Sequence, residues 1–141
     1  SLVRKIFPNF EEEFEGKPLY ETLLVPTRLY YKDIHKVLEE VPVCGIAHIT
    51  GGGLYENVPR IIPEGLCAAI DESKIKVPTV MLELEKRGNI DRKEMHGTFN
   101  MGVGMVLVTD ENHVDKILDL LEDAYVVGEI TEGSEKITLN F

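Results

Sequence analysis

The stretch Val43-Cys44-Gly45-Ile46-Ala47-His48-Ile49-Thr50-Gly51-Gly52-Gly53-Leu54-Tyr55-Glu56-Asn57-Val58-Pro59-Arg60 decides the reading of this chain. Residues 43–49 form a compact apolar run between Pro42 and a glycine cluster, as a buried strand does. A hydroxyl, three glycines and a short helical segment follow, with Arg60 just beyond. Glycines reach positive φ and lack a Cβ, so successive N–H groups can converge on one anion, and the start of a helix adds partial positive charge. The loop is neither a Walker loop, which needs Gly-Lys-Ser or Gly-Lys-Thr, nor a GxGxxG dinucleotide fingerprint. Its residues alone leave two readings open, a phosphate site and a tight connection.

The flanking segments supply the rest of the fold. Upstream, residues 1–7 predict a helix that ends before Pro8, residues 8–18 a solvated connection, and Leu19 to Leu24 a short helix. Pro26 disfavours helix before it, and Leu29-Tyr30-Tyr31 reads as a short strand. Asp33 is placed to cap a helix through Glu40 whose core face carries Ile34, Val37, Leu38 and Val41. Downstream, Leu66 to Ile70 predicts a second buried strand after the turn Pro63-Glu64-Gly65. Pro78 to Arg87 predicts a helix with Gly88 as a left-handed cap.

Met101 to Val108 reads as a strand with Gly102 and Gly104 on one face, where the missing side chains admit a packed helix, another backbone or a ligand. Asp110 can cap a helix bearing Val114, Ile117, Leu118 and Leu121. Ala124 to Thr131 and Lys136 to Phe141 are then strands joined by the hairpin-like Glu132-Gly133-Ser134-Glu135. This alternation predicts an α+β domain over residues 1–141, a mixed β-sheet layered with α-helices.

Composition bounds the partners. The 141 residues are 43% hydrophobic and 28% charged, globular values that leave no case for disorder. The formal charge of −10 opposes loose attachment to nucleic acid or an anionic membrane, and no apolar run approaches the roughly 18 residues of a span, so neither partner is expected. The chain opens Ser-Leu-Val-Arg, without an initiator Met or a leader, and is expected to be part of a longer protein. Cys44 and Cys67 have no metal-like spacing and are expected to be buried thiols in a reducing, cytoplasmic setting.

Several side chains could carry chemistry, each with a structural alternative. Arg60 is placed to fork onto a phosphate or to pair with Glu56 four residues earlier. Arg28 stands where an irregular segment turns extended, suited to binding or to a surface ion pair. His48 at a strand end is a weak candidate for catalysis, against a hydrogen-bonded structural histidine. Asp71 and Glu72 follow a strand and read as a solvated turn or as ligands for a cation or hydroxyls. His35, His96 and His113 share no metal spacing, HExxH and paired CxxC are absent, and no metal site is expected. No GxSxG elbow occurs.

Three blocks together resemble a known family: His48 to Arg60, Pro26-Thr27-Arg28-Leu29-Tyr30, and Glu94-Met95 followed by Thr98-Phe99-Asn100-Met101-Gly102-Val103-Gly104-Met105. In this order, with Ser1 to Lys5 before them and Val126-Val127-Gly128-Glu129-Ile130 after, they resemble the C-terminal half of phosphoribosylformylglycinamidine cyclo-ligase (aminoimidazole ribonucleotide synthetase). The departures are Tyr31, where that family usually has Val, and a shortened stretch around Glu122-Asp123. The resemblance implies ATP- and Mg-dependent ring closure of formylglycinamidine ribonucleotide in purine biosynthesis. It further implies a homodimeric enzyme whose N-terminal half, absent here, supplies dimerisation and most of the ATP site. This chain would be the substrate-binding half and inactive alone. Thr50, Gly51, Gly52, Gly53 and Arg60 would hold the ribonucleotide phosphate, with Thr27, Arg28, Asn57 and Asn100 elsewhere in the cleft. The alternatives are a non-catalytic nucleotide-phosphate-binding module and another member of the superfamily, such as formylglycinamidine ribonucleotide synthetase or selenophosphate synthetase.

Overall fold

Helices and strands alternate through residues 2–141, which the computed structural model describes; Ser1, included in the expected opening helix, lies outside the described residues. The helices are α1 (Leu2–Ile6), α2 (Leu19–Leu23), α3 (Tyr31–Glu40), α4 (Gly53–Asn57), α5 (Thr79–Gly88), α6 (Arg92–Thr98) and α7 (Val114–Leu120). The strands are β1 (Glu13–Phe14), β2 (Lys17–Pro18), β3 (Gly45–His48), β4 (Leu66–Asp71), β5 (Met105–Val108), β6 (Gly128–Glu132) and β7 (Ile137–Asn140). The expected α+β class, with a mixed sheet and helices packed on it, is what the chain adopts.

β4 is central because it is apolar on both faces: Cys67, Ala68 and Ile70 are all buried. It pairs antiparallel with β6, Ala68 opposite Ile130, and parallel with β7, Ala68 opposite Ile137. β3 and β5 form a separate antiparallel pair, with Gly45 opposite Val108 and His48 opposite Met105. Between them lies the main core, in which Ala47 and Ile49 meet Leu54, Val58 and Ile62 from the segment after the glycine loop and Ala68 and Ile70 from β4. A second cluster joins Phe7 and Leu19 to Val80 and Leu84 of α5, Met95 of α6 and Met101. A third seats α3 on α7 through Val37, Val41 and Ile117.

Several expectations are corrected. β6 and β7 do not form a hairpin, because β4 lies between them and the four residues 133–136 cross its end. Gly133 N–H bonds Gly65 O at 3.0 Å and Ala68 N–H bonds Lys136 O at 2.9 Å, so the connection is tied to the turn and strand it crosses. Residues 8–18 contain the short β1–β2 hairpin, turning at Glu15 and Gly16, both with positive φ. Leu29-Tyr30-Tyr31 is not a strand: α3 starts at Tyr31, so Asp33 lies in its first turn rather than capping it, where its carboxylate serves Arg28 instead. On that helix Leu38 is 49% exposed, since α7 covers only the Val37–Val41 side.

The left-handed residue after α5 is Asn89 at φ 49°, one position beyond Gly88, against which the Ile6 and Ile90 side chains pack. β5 begins only at Met105, because Met101 and Gly102 turn the chain with positive φ. Gly102 makes room for the Pro78 ring and the Lys76 carbonyl, and Gly104 for the Tyr30 hydroxyl, so neither space is taken by a packed helix. Cys44 is exposed at the start of the β3 edge, while Cys67 is buried as expected. Helix α6, which the periodicity does not announce, packs against α4 beneath the glycine loop.

Candidate functional site

The chain leaves β3 at His48 and turns through Thr50, Gly51 and Gly52 into α4. Two of the three glycines are required by their surroundings. Gly52 has φ 88°, and a Cβ on it would overlap the Glu56 carboxylate, which lies over the loop. Gly53 has φ 61°, and a Cβ on it would overlap the His96 carbonyl oxygen and stand 2.5 Å from that of Phe99. Gly51 has nothing within 4 Å of where its Cβ would stand and is exposed.

The loop is closed from inside by Asn57, 4% exposed, whose amide donates to Gly53 O at 2.8 Å, Gly51 O at 3.3 Å and Thr50 O at 3.4 Å. Thr50 Oγ1 donates to Asn57 Oδ1 at 3.4 Å. With its carbonyls held inward, the loop turns the other edge of its peptides outward. Gly53 N–H donates to Thr50 O at 3.0 Å, and the Gly51 and Gly52 N–H groups have no acceptor among the described residues. Arg60 is exposed, with Nη2 3.4 Å from Glu56 Oε1, so the ion-pair alternative is realised next to the loop.

The remaining candidates fall into two neighbouring groups. Asn100 follows Phe99, whose carbonyl abuts Gly53, and its Oδ1 accepts from Gly102 N–H at 3.0 Å, holding the turn beside the loop. Ile49 N–H donates to Gly104 O at 2.9 Å and so joins this turn to the strand that carries His48. Thr27, Arg28 and His48 line a separate groove of about 440 Å³ with Tyr30, Tyr31 and His35. There the Tyr30 ring meets His48 edge-on at 6.3 Å between centroids, and Arg28 lies over Tyr30 at 5.1 Å.

Arg28 is held by two carboxylates, Asp33 at 2.6 Å and Asp123. The guanidinium hydrogen bond holds the Asp123 carboxyl below its usual range against a smaller opposing effect of burial. Asp123 belongs to the stretch around Glu122 that the sequence reading takes as a departure lying clear of the cleft; its ion pair with Arg28, one of the cleft candidates, corrects that expectation. Tyr30, Asp123 and His96 are the side chains that sequence reasoning did not connect with the site, and Glu72, read there as part of a solvated turn or a ligand, is instead buried against Arg92 and His96. Gly104 was the available signal for Tyr30, since a glycine beside a strand marks a close approach. His96 was invisible without α6.

Comparison with known proteins meets this geometry over the whole chain. Residues 1–140 match the family model for AIR synthase related protein, C-terminal domain. The chain belongs to that family. Among its curated relatives, the phosphoribosylformylglycinamidine cyclo-ligase of Staphylococcus carnosus is 46% identical over 145 residues, covering 96% of this chain and 42% of that protein. The enzyme of the same name from Clostridium perfringens is 40% identical over 99% of this chain and 43% of its own length. That of Caldicellulosiruptor bescii is 44% identical over 99% of this chain and 44% of its own length. This AIR synthase related C-terminal domain therefore spans less than half the length of the curated relatives it matches. The expected resemblance to the C-terminal half of the cyclo-ligases holds.

Proposed function

We infer that residues 1–141 are the substrate-side domain of an ATP-dependent cyclo-ligase that converts formylglycinamidine ribonucleotide to aminoimidazole ribonucleotide, ADP and phosphate. The observation that carries this reading is the Thr50–Gly53 loop, whose Gly51 and Gly52 N–H groups have no acceptor among the described residues, with Arg60 adjacent, in a chain whose relatives bear the cyclo-ligase name. In the proposed reaction ATP, with Mg, supplies the phosphoryl group that activates the formyl oxygen. The amidine nitrogen then attacks the formyl carbon, and that oxygen leaves as part of phosphate. The other portion of a homodimeric, cytoplasmic enzyme is assigned the nucleotide and Mg. Among the described residues no group of three or more His, Cys, Asp or Glu is placed to hold a metal ion.

Within this chain the loop amides and Arg60 hold the ribonucleotide phosphate, which fixes the ribose end of the substrate relative to the reacting centre. Asn57 keeps the loop carbonyls turned away from that anion. Asn100 holds the neighbouring turn, while Thr27 and Arg28 line the adjoining groove. His48, exposed in the same groove at the end of β3, is the weak candidate for the catalytic group.

The test is a single turnover by the protein with the N-terminal part its relatives carry, supplied with ATP, Mg and formylglycinamidine ribonucleotide. Formation of aminoimidazole ribonucleotide is expected. No product from a folded, ATP-binding protein would mean the substrate is wrongly named. Arg60→Ala should raise the ribonucleotide KM about tenfold or more, since a charge-assisted contact is lost and the Glu56 carboxylate is left unpaired beside Gly52. An unchanged KM would remove Arg60 from the site.

A further inference from the structure

His96 is the most deeply buried titratable side chain, fully enclosed, and the proposed reaction makes no use of it. Its Nε2 lies 3.0 Å from Glu72 Oε1, while its Nδ1 is buried without a hydrogen-bond partner. The two facts together select the tautomer in which Nε2–H donates to the carboxylate, since a proton on Nδ1 would be an orphaned buried donor. Glu72, just past the end of central strand β4, also accepts from Arg92 Nη1 at 2.8 Å, and Arg92 reaches on to Glu85 of α5. Burial pushes the Glu72 carboxyl up, but the hydrogen bonds from His96 and Arg92 outweigh it and keep the group ionised below its ordinary range. From the other side the Phe141 ring meets the imidazole edge-on at 6.2 Å.

The same residue touches the loop through its backbone. The His96 carbonyl oxygen occupies the space where Gly53 would carry a side chain, so α6 and the third glycine meet main chain to main chain. Displacement of the last turn of α6 therefore moves Gly53, and with it the peptide planes of Gly51 and Gly52. Arg92 fixes the first turn of α6 through Glu72 and Glu85, and the His96–Glu72 hydrogen bond extends that hold to the turn that meets Gly53.

We propose that His96, clamped by Glu72, is a positioning residue for the Thr50–Gly53 loop, setting the orientation of its N–H groups toward the phosphate of the ribonucleotide. This rests on the reading of that loop as the phosphate site. It predicts a loss confined to ribonucleotide binding, because the His96 carbonyl abuts Gly53 of that loop while the nucleotide is assigned to the other portion of the enzyme.

The measurement compares apparent KM for formylglycinamidine ribonucleotide and for ATP, with kcat and the thermal midpoint, in the protein carrying the N-terminal part of its relatives. His96→Leu removes the donor. It should raise the ribonucleotide KM by about tenfold or more, leaving the ATP KM unchanged. His96→Gln, whose terminal amide can reach Glu72, should recover most of that loss. Glu72→Gln, which keeps the shape and removes the charge, should shift the same KM by a smaller factor and decides the matter if His96→Leu does not fold. The inference is overturned if Arg60→Ala raises the ribonucleotide KM while the folded His96 or Glu72 variants leave it unchanged. It is equally overturned if His96→Leu raises both KM values alike with a lowered midpoint that His96→Gln does not restore. If Arg60→Ala and the His96 variants are all without effect on a folded, active protein, the phosphate-loop reading fails and the clamp fails with it.

Discussion

Gly51 and Gly53 stand two positions apart in one loop and answer to different constraints. Gly53 combines φ 61° with a carbonyl in the space a Cβ would need, whereas Gly51 has an ordinary φ and nothing within 4 Å. Gly53→Ala should therefore cost roughly 2–4 kcal/mol, from the left-handed backbone and the forced displacement of α6, while Gly51→Ala should stay within about 0.5 kcal/mol. Urea unfolding of the two variants checks this, and equal losses would contradict the geometry. Asn57→Ala should cost about 1–3 kcal/mol, because three carbonyls lose their buried donor. The glycines were legible in the sequence, and the Glu56–Arg60 pair was legible as one of two alternatives, since both follow from local spacing. The inward role of Asn57 was not, because which way a side chain points from a five-residue helix depends on what covers it.

Among the elements, α6 shows where periodicity runs short. Its seven residues contain one apolar core side chain, Met95, and a histidine whose burial depends on a carboxylate twenty-four positions earlier. No repeat at helical spacing could announce it. The Glu72–Arg92–Glu85 network that ties α6 to β4 and α5 carries its own pH signature. The folded-state pKa of Glu72 lies below its unfolded value, so this contribution is complete above the unfolded value and is lost as pH falls through the folded one. Glu72→Gln should thus destabilise the protein at pH 7, with the difference from the parent shrinking on acidification through the carboxylate range. Urea midpoints taken at intervals between neutral and about pH 3 test this. A difference independent of pH would remove the ionic part of the argument.

In the whole molecule, burial divides the apolar residues sharply. Leu54 is 1% exposed in the main core, whereas Leu29 is 89% exposed, with Leu24, Val25 and Tyr31 also exposed nearby in sequence. Leu54→Ala should cost about 2–5 kcal/mol, and Leu29→Lys should change the unfolding free energy by less than about 0.5 kcal/mol. Calorimetric midpoints distinguish the two, and a large loss at Leu29 would mean that the Pro26–Tyr30 segment packs elsewhere. Among the described residues no helix is long and apolar enough to cross a membrane.

The sequence by itself determined the helices and strands whose apolar residues repeat locally: α3, α5, α7, β3, β4, and the glycine turn between β3 and α4. It also determined the family, since three motif blocks in fixed order hold more information than any one of them. Only the tertiary structure decided that β4 separates β6 from β7. Two polar-edged strands four residues apart look like a hairpin until a more apolar strand takes a hydrogen-bonding edge of each. It likewise decided that Asp33 and Asp123 meet on Arg28, and that the histidine behind the glycine loop is the buried His96 rather than the exposed His48. Those contacts join residues distant in the chain, and local propensity carries no record of which distant groups will arrive.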